Sequence, residues 1–174
     1  MLRRLSTSAA GGAEHYRRLA MMYRLAPVNG AKPLFESRVQ CAHGKAVVKA
    51  PMQAEYNHAA HALHGCVYFK MLDDAAFFAA QSTNATNFVT TTSFTTYITK
   101  PVVPVEGQFY ISHGKVTSAS RSLIVAESVM SLPDGTEVAR GSGTFMPHPK
   151  FTLDSLPAYT GEVLEEDQPL LTED

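Results

Sequence analysis

The sequence predicts an α+β domain. Three observations carry that expectation: one long apolar helical segment near residues 65–82, a series of β-branched and aromatic segments after it, and short turn-rich connections between them. A lone apolar helix has to bury itself against a sheet, and strands joined by short turns favour an antiparallel one.

The first 24 residues carry Arg3, Arg4, Arg17, Arg18 and Arg24 against the single acid Glu14, together with Ser6, Thr7 and Ser8. An Arg-rich, Ser-rich, acid-poor start resembles a mitochondrial transit peptide. The other reading is a basic helix packed on the domain, since Tyr16, Leu19, Met22, Tyr23 and Leu25 suit a receptor groove or a core equally well. Ala26 to Pro33 is rich in turn formers and reads as a linker. Residues 1–33 are therefore taken as a basic N-terminal extension, and the expected location is mitochondrial, otherwise cytoplasmic.

Leu34 to Cys41 and Lys45 to Ala50 suit two strands of a hairpin around His43-Gly44. Pro51 to His64 has no clear period and reads as loop. Gly65 or Cys66 opens the helix, in which Val67, Met71, Leu72, Ala75, Phe78 and Ala79 form a broad apolar face. Four strands follow: Phe88–Thr99, Gln108–Thr117, Arg121–Ser131 and Glu137–Met146, with Pro133-Asp134-Gly135 as a strong turn signal. Gly141 and Gly143 in the last strand suggest a bend or a close backbone approach. The domain is thus expected over residues 34–150. From Asp154 onward Glu162, Glu165, Glu166, Asp167, Glu173 and Asp174 meet no Lys or Arg, so residues 151–174 read as a solvated acidic tail.

The 174 residues suit a single domain with a real core, and a hydrophobic share of 45% argues against wholesale disorder. A net charge of −1 gives no sign of nucleic-acid binding. Two cysteines, Cys41 and Cys66, are too few for a disulfide framework and fit a reducing compartment. No apolar run approaches the ~18 residues of a membrane span.

Chemistry concentrates in the stretch from His58 to Asp74, which holds His58, His61, His64, Gly65, Cys66, Asp73 and Asp74. His and Cys are good zinc ligands, but a regular helix would spread His58 and His64 about 120° apart, and no metal is expected. Cys66 at a helix N-terminus has a favourable setting for a thiolate, with His64 as a nearby base; a free Cys is more often a small apolar residue. The third option is a carboxylate and an amide. Gly65 lets a ligand approach the backbone, and its N–H or that of Cys66 would be free to hold an oxyanion. Asp73 sits two turns past Cys66. An Asp in an apolar helix is costly to bury unless paired or functional, and Asp74 is expected to face solvent or cap nearby backbone.

His64-Gly65, followed by Asp73 in Leu72-Asp73-Asp74-Ala75-Ala76, resembles the PaaI-like acyl-CoA thioesterases of the hotdog-fold superfamily, whose helix begins His-Gly-Gly and carries an Asp nine positions past the His. The strand order agrees over roughly Phe35 to Met146, as do Tyr97-Ile98-Thr99-Lys100-Pro101 and the strand Ala139 to Phe145. The resemblance implies a long central helix wrapped by an antiparallel sheet. It implies hydrolysis of acyl-CoA to free acid and coenzyme A, without metal or organic cofactor. Asp73 would be general base or nucleophile, Gly65 N–H the oxyanion donor, and His64 a positioning group. Thr91 would assist, and Asn57, His58 and Cys66 would contact substrate. This chain departs from the family at His58, where the family has Asn, and at Cys66, where it has the second Gly. The resemblance further implies a homodimer or homotetramer with the site between subunits, and Lys100, Arg121 and Arg140 as candidates for the coenzyme A phosphates. The alternative is a non-catalytic hotdog domain that binds acyl-CoA or another acyl ligand.

Overall fold

The computed structural model describes residues 8–29 and 34–170. In chain order the elements are α1 (Ser8–Leu25), β1 (Arg38–Ala42), β2 (Lys45–Pro51), α2 (Gly65–Gln81), β3 (Asn87–Ile98), β4 (Phe109–Ala119), β5 (Ile124–Ser131), β6 (Glu137–Thr152) and the short α3 (Pro157–Thr160). The strands form one six-stranded antiparallel sheet in the order β1-β2-β4-β5-β6-β3. The α+β expectation therefore holds.

Helix α2 lies across the inner face of the sheet. Its expected apolar stripe is buried throughout: Val67, Met71, Leu72, Ala75, Phe78 and Ala79 are all 5% exposed or less. The strands alternate as a sheet covered on one face should, with Ala46, Val48 and Ala50 of β2 buried between more exposed residues. Close approach of helix to sheet depends on Gly114 in β4. A Cβ built there would overlap the backbone carbonyl of Ala75 and the amide of Ala76. Backbone cannot swing aside as a side chain can. Gly114→Ala is expected to cost at least about 3 kcal/mol, measured by urea unfolding; a change below about 1 kcal/mol would show that the helix can simply ride up. The close approach expected at Gly141 and Gly143 is also present. The Phe94 ring of β3 lies over both, and a Cβ on Gly141 would meet it at 2.6 Å.

Two boundaries differ most from expectation. The first strand begins at Arg38 rather than Leu34. The last runs six residues past Met146, to Thr152, despite Pro147 and Pro149. Its ladder with β5 ends at Phe145, so beyond that point only β3 flanks it. A strand with one neighbour tolerates prolines that a strand with two would not.

Among the described residues, neither α1 nor the segment after β6 is a separate appendage. In α1, Leu19, Met21, Met22 and Tyr23 are buried, and the Tyr23 ring packs edge-on against Phe78 of α2 at 5.2 Å. The acidic C-terminal segment is anchored on the domain at Asp167, while Glu162, Glu165 and Glu166 stay exposed as a solvated tail would. Arg24 grips Asp167 through two bonds of 2.9 and 2.8 Å, and Arg17 donates to the carbonyls of Asp167 and Leu164. Leu153 and Tyr159 are buried, and Leu170 N–H donates to Cys41 O at 2.8 Å. Arg24 of the basic start thus pairs with Asp167 and Glu166 of the acidic end, which moves the packed unit's limits beyond 34–150. Arg3, Arg4, Ser6 and Thr7 of the expected transit peptide lie outside the described residues, as do 30–33 of the linker and Glu173 and Asp174 of the tail. No helix of the described chain is long and apolar enough to cross a membrane.

Candidate active site

Helix α2 starts where His64 caps it. His64 has extended backbone (φ −71°, ψ 142°), and its Nδ1 accepts the N–H of Cys66 at 3.1 Å. The sequence left open whether Gly65 or Cys66 keeps a free N–H. The cap decides it: Cys66 N–H is taken, and among the described residues Gly65 N–H has no partner. Gly65 faces a cleft of about 360 Å³ walled by His58, Leu63, Tyr68, Ile98 and Lys100. Tyr68, not singled out from the sequence, fixes this wall by donating its hydroxyl to Lys100 O at 3.0 Å.

The loop before the helix is held by its own backbone. His58 N–H donates to Ala62 O, His61 N–H donates to His58 O, and Asn57 Nδ2 donates to His61 O at 3.4 Å. His61 closes it in the left-handed region (φ 61°), a conformation costing roughly 1–2 kcal/mol for a residue with a Cβ. His58 Nδ1 accepts the Ala60 N–H at 3.1 Å. His58 and His64 thus share one feature: with Nδ1 accepting, the neutral ring carries its proton on Nε2 and offers a donor there. Their ring centroids lie 6.4 Å apart. Among the described residues no three His, Cys, Asp or Glu side chains gather as a metal site would require. Asn57 and Cys66 are not on the cleft wall; Asn57 braces the loop, and Cys66 is exposed on the first helical turn.

Asp73 sits two turns along α2, half-buried. Thr91 of β3 donates its hydroxyl to Asp73 Oδ1 at 3.1 Å. Burial, with the neighbouring Asp74 charge adding to it, pushes the Asp73 carboxyl up to about 6; the Thr91 bond and Lys70 offset only part of this. Asp74 departs from expectation. It neither faces solvent freely nor caps backbone: it accepts the Tyr23 hydroxyl at 2.7 Å and pairs with Lys70, tying α1 to α2. The two adjacent aspartates therefore divide into one structural anchor and one carboxylate with spare capacity.

Asp73 and Gly65 share a helix but not a site within one chain. Eight residues separate them, about 12 Å along the axis at 1.5 Å per residue. The three candidate cations separate as well. Lys100 is in the Gly65 cleft, while Arg121 lines a second cavity near the other end of α2. Arg140 is held by Glu137 through two bonds of 2.7 and 2.8 Å.

No protein-family model matches the sequence, and no curated protein does. Solved structures match with low identity. The E. coli PaaI protein from the phenylacetic acid degradation operon superposes with a TM-score of 0.69 at 17% identity, over 79% of this chain and 96% of that one. A Streptococcus mutans protein bound to acetyl-CoA gives 0.57 at 16%, over 63% and 88%. A hypothetical thioesterase of Streptococcus pneumoniae with coenzyme A gives 0.58 at 14%, over 67% and 90%. The wrapped helix, the strand order and these likenesses together show that the chain has the hotdog fold.

Proposed function

We propose that the protein hydrolyses acyl-CoA thioesters to a free acid and coenzyme A, with two copies of the chain building each site. The observation that carries this reading is the Asp73 carboxylate, half-buried, raised to about 6 and steadied by Thr91, on the helix whose first N–H is free. Coenzyme A ligands in two of the similar structures support the substrate class.

The thioester carbonyl accepts Gly65 N–H, with the Nε2–H groups of His58 and His64 as neighbouring donors. Asp73 takes a proton from water as its oxygen bonds to the carbonyl carbon, or attacks that carbon itself. The negative charge that develops on the carbonyl oxygen falls on a helix N-terminus, where it is stabilised most. Collapse breaks the carbon–sulfur bond and the thiolate leaves as coenzyme A. On the first route it takes up the proton that Asp73 received from water. On the second it is protonated from solvent, while water hydrolyses the acyl–Asp73 anhydride to the free acid and restores the carboxylate.

The 12 Å between Gly65 and Asp73 is bridged by a partner copy. Strand β3 has a neighbour on one side only, and its free edge is flanked by exposed Tyr97 and Ile98. Such an edge is a template for pairing with a second chain. Two copies joined there bring one helix start toward the other copy's Asp73.

A panel of acyl-CoA substrates with a free-thiol readout tests the function. Thiol release from at least one substrate, lost in Asp73→Ala, is expected. Tight binding of every member without thiol release would replace hydrolysis with acyl-CoA binding.

A further inference from the structure

The second cavity, about 830 Å³, lies near the C-terminal end of α2, away from Gly65. His43, Lys45, Lys115 and Arg121 line it, and no Asp or Glu does. Among the described residues Lys45, Lys115 and Arg121 form no ion pair. Lys45 and Lys115 stand directly opposite each other in the β2–β4 ladder. Like charges in that position repel and destabilise a sheet. Glu127 is the cross-strand neighbour of Lys115 on its other side, yet it does not pair with it. An anion seated in the cavity would relieve the repulsion. Three cations and an imidazole around a space this size suit a group with several phosphates.

The topology says where such a group comes from. Asn87, the first residue of β3, lines the basic cavity; Ile98, its last, lines the Gly65 cleft. Within one chain the two spaces are separated by most of the length of α2, about 25 Å for a helix of 17 residues. When two β3 edges pair antiparallel, the first residues of one strand lie beside the last residues of the other. The basic cavity of one copy then opens next to the Gly65 cleft of its partner. A coenzyme A thioester has this shape: a reactive end, a narrow pantetheine arm and a cluster of phosphates at the far end.

We propose that the His43–Lys45–Lys115–Arg121 cavity receives the phosphates of the coenzyme A whose thioester lies in the partner copy's cleft. This rests on the acyl-CoA reading above and adds to it which subunit holds which end of the substrate. Lys100 remains at the thioester end, beside the arm.

Charge reversal at Lys115 and Arg121 tests it. Lys115→Glu and Arg121→Glu are surface changes that should leave the fold intact by circular dichroism. They are expected to raise KM for an acyl-CoA roughly tenfold each, since charge-assisted contacts to phosphate are lost. KM for the matching acyl-pantetheine, which has no nucleotide phosphates, should not move. Wild-type KM for acyl-CoA should rise with salt, because exposed cations are screened, and the variants should lose that dependence. Equal effects on acyl-CoA and acyl-pantetheine, or no effect on either, would overturn the assignment while leaving hydrolysis standing. Calorimetry with coenzyme A alone separates the two readings. Binding weakened by the variants in a protein that releases no thiol from any substrate would keep the phosphate site and discard the hydrolase.

Discussion

Asp73→Asn should lower acyl-CoA turnover by about 10³-fold and, at neutral pH, make the fold more stable. The loss follows from removing the base or nucleophile, worth about 10²–10⁴ for positioned proton transfer. The gain follows from the direction of the shift. Burial and the Asp74 charge raise the Asp73 carboxyl from 3.8 to about 6. A carboxyl raised on folding favours the folded state only while it is protonated. That contribution is complete below the unfolded value near 4 and disappears as pH climbs through about 6. At pH 7–8 the native protein therefore carries the cost of a half-buried carboxylate beside another. Asparagine is isosteric, keeps an oxygen for the Thr91 hydroxyl and carries no charge. A gain of about 2 kcal/mol in urea unfolding is expected, after allowance for solvent screening. The same titration shapes the wild-type rate: kcat/KM should fall about tenfold per pH unit below about 6. A variant that is inactive because it is unfolded would show that the carboxylate holds the helix in place, and would remove it from the chemistry.

Gly65→Pro should cost about 10²–10³ in kcat with the fold unchanged, the usual effect of losing one oxyanion donor. This substitution removes the amide hydrogen and puts the ring's Cδ on the nitrogen in its place. Proline is favoured at the first position of a helix, where the N–H has no intrahelical partner. It also demands extended backbone before it, and His64 already has ψ 142°. A Cβ at position 65 meets only the Ile98 side chain, at an ordinary 3.8 Å. Gly65→Ala is the control: it adds the same first carbon and keeps the N–H, so it should retain most of the activity. Equal kcat in Gly65→Pro and Gly65→Ala would assign the oxyanion to other donors, with the Nε2–H groups of His58 and His64 next in line.

The parts of the site that are local in sequence were legible in it. Helix 65–81 and its apolar face follow from periodicity, whereas the choice of His64, Gly65 and Asp73 within it rested on the family resemblance. Thr91 was reachable only through resemblance, because a Thr in a strand is ordinarily there for its β propensity. What stayed hidden depends on partners distant along the chain. Asp74 meets Tyr23 from 51 residues away, and Arg24 meets Asp167 from 143 residues away. Complementary charge at the two ends does not state that the ends touch. The choice between Gly65 and Cys66 as free donor turned on one rotamer of His64, which spacing does not encode. The basic cavity collects Lys45, Lys115 and Arg121 from three segments, none of which looks basic alone.

The seating of α1 limits what proteolysis can remove. Read as a leader, the Arg- and Ser-rich start invites cleavage somewhere in the first 25 residues. The helix allows that only near its beginning, because Leu19, Met21 and Tyr23 are built into the domain and Tyr23 holds Asp74. A processing protease that cut after Arg17 or Arg18 would expose the Phe78 side of α2 and leave Asp74 to Lys70 alone, one position from the carboxylate that matters. A chain truncated before His15 is therefore expected to keep its stability and one truncated after Arg18 to lose it, as urea unfolding of the two would show.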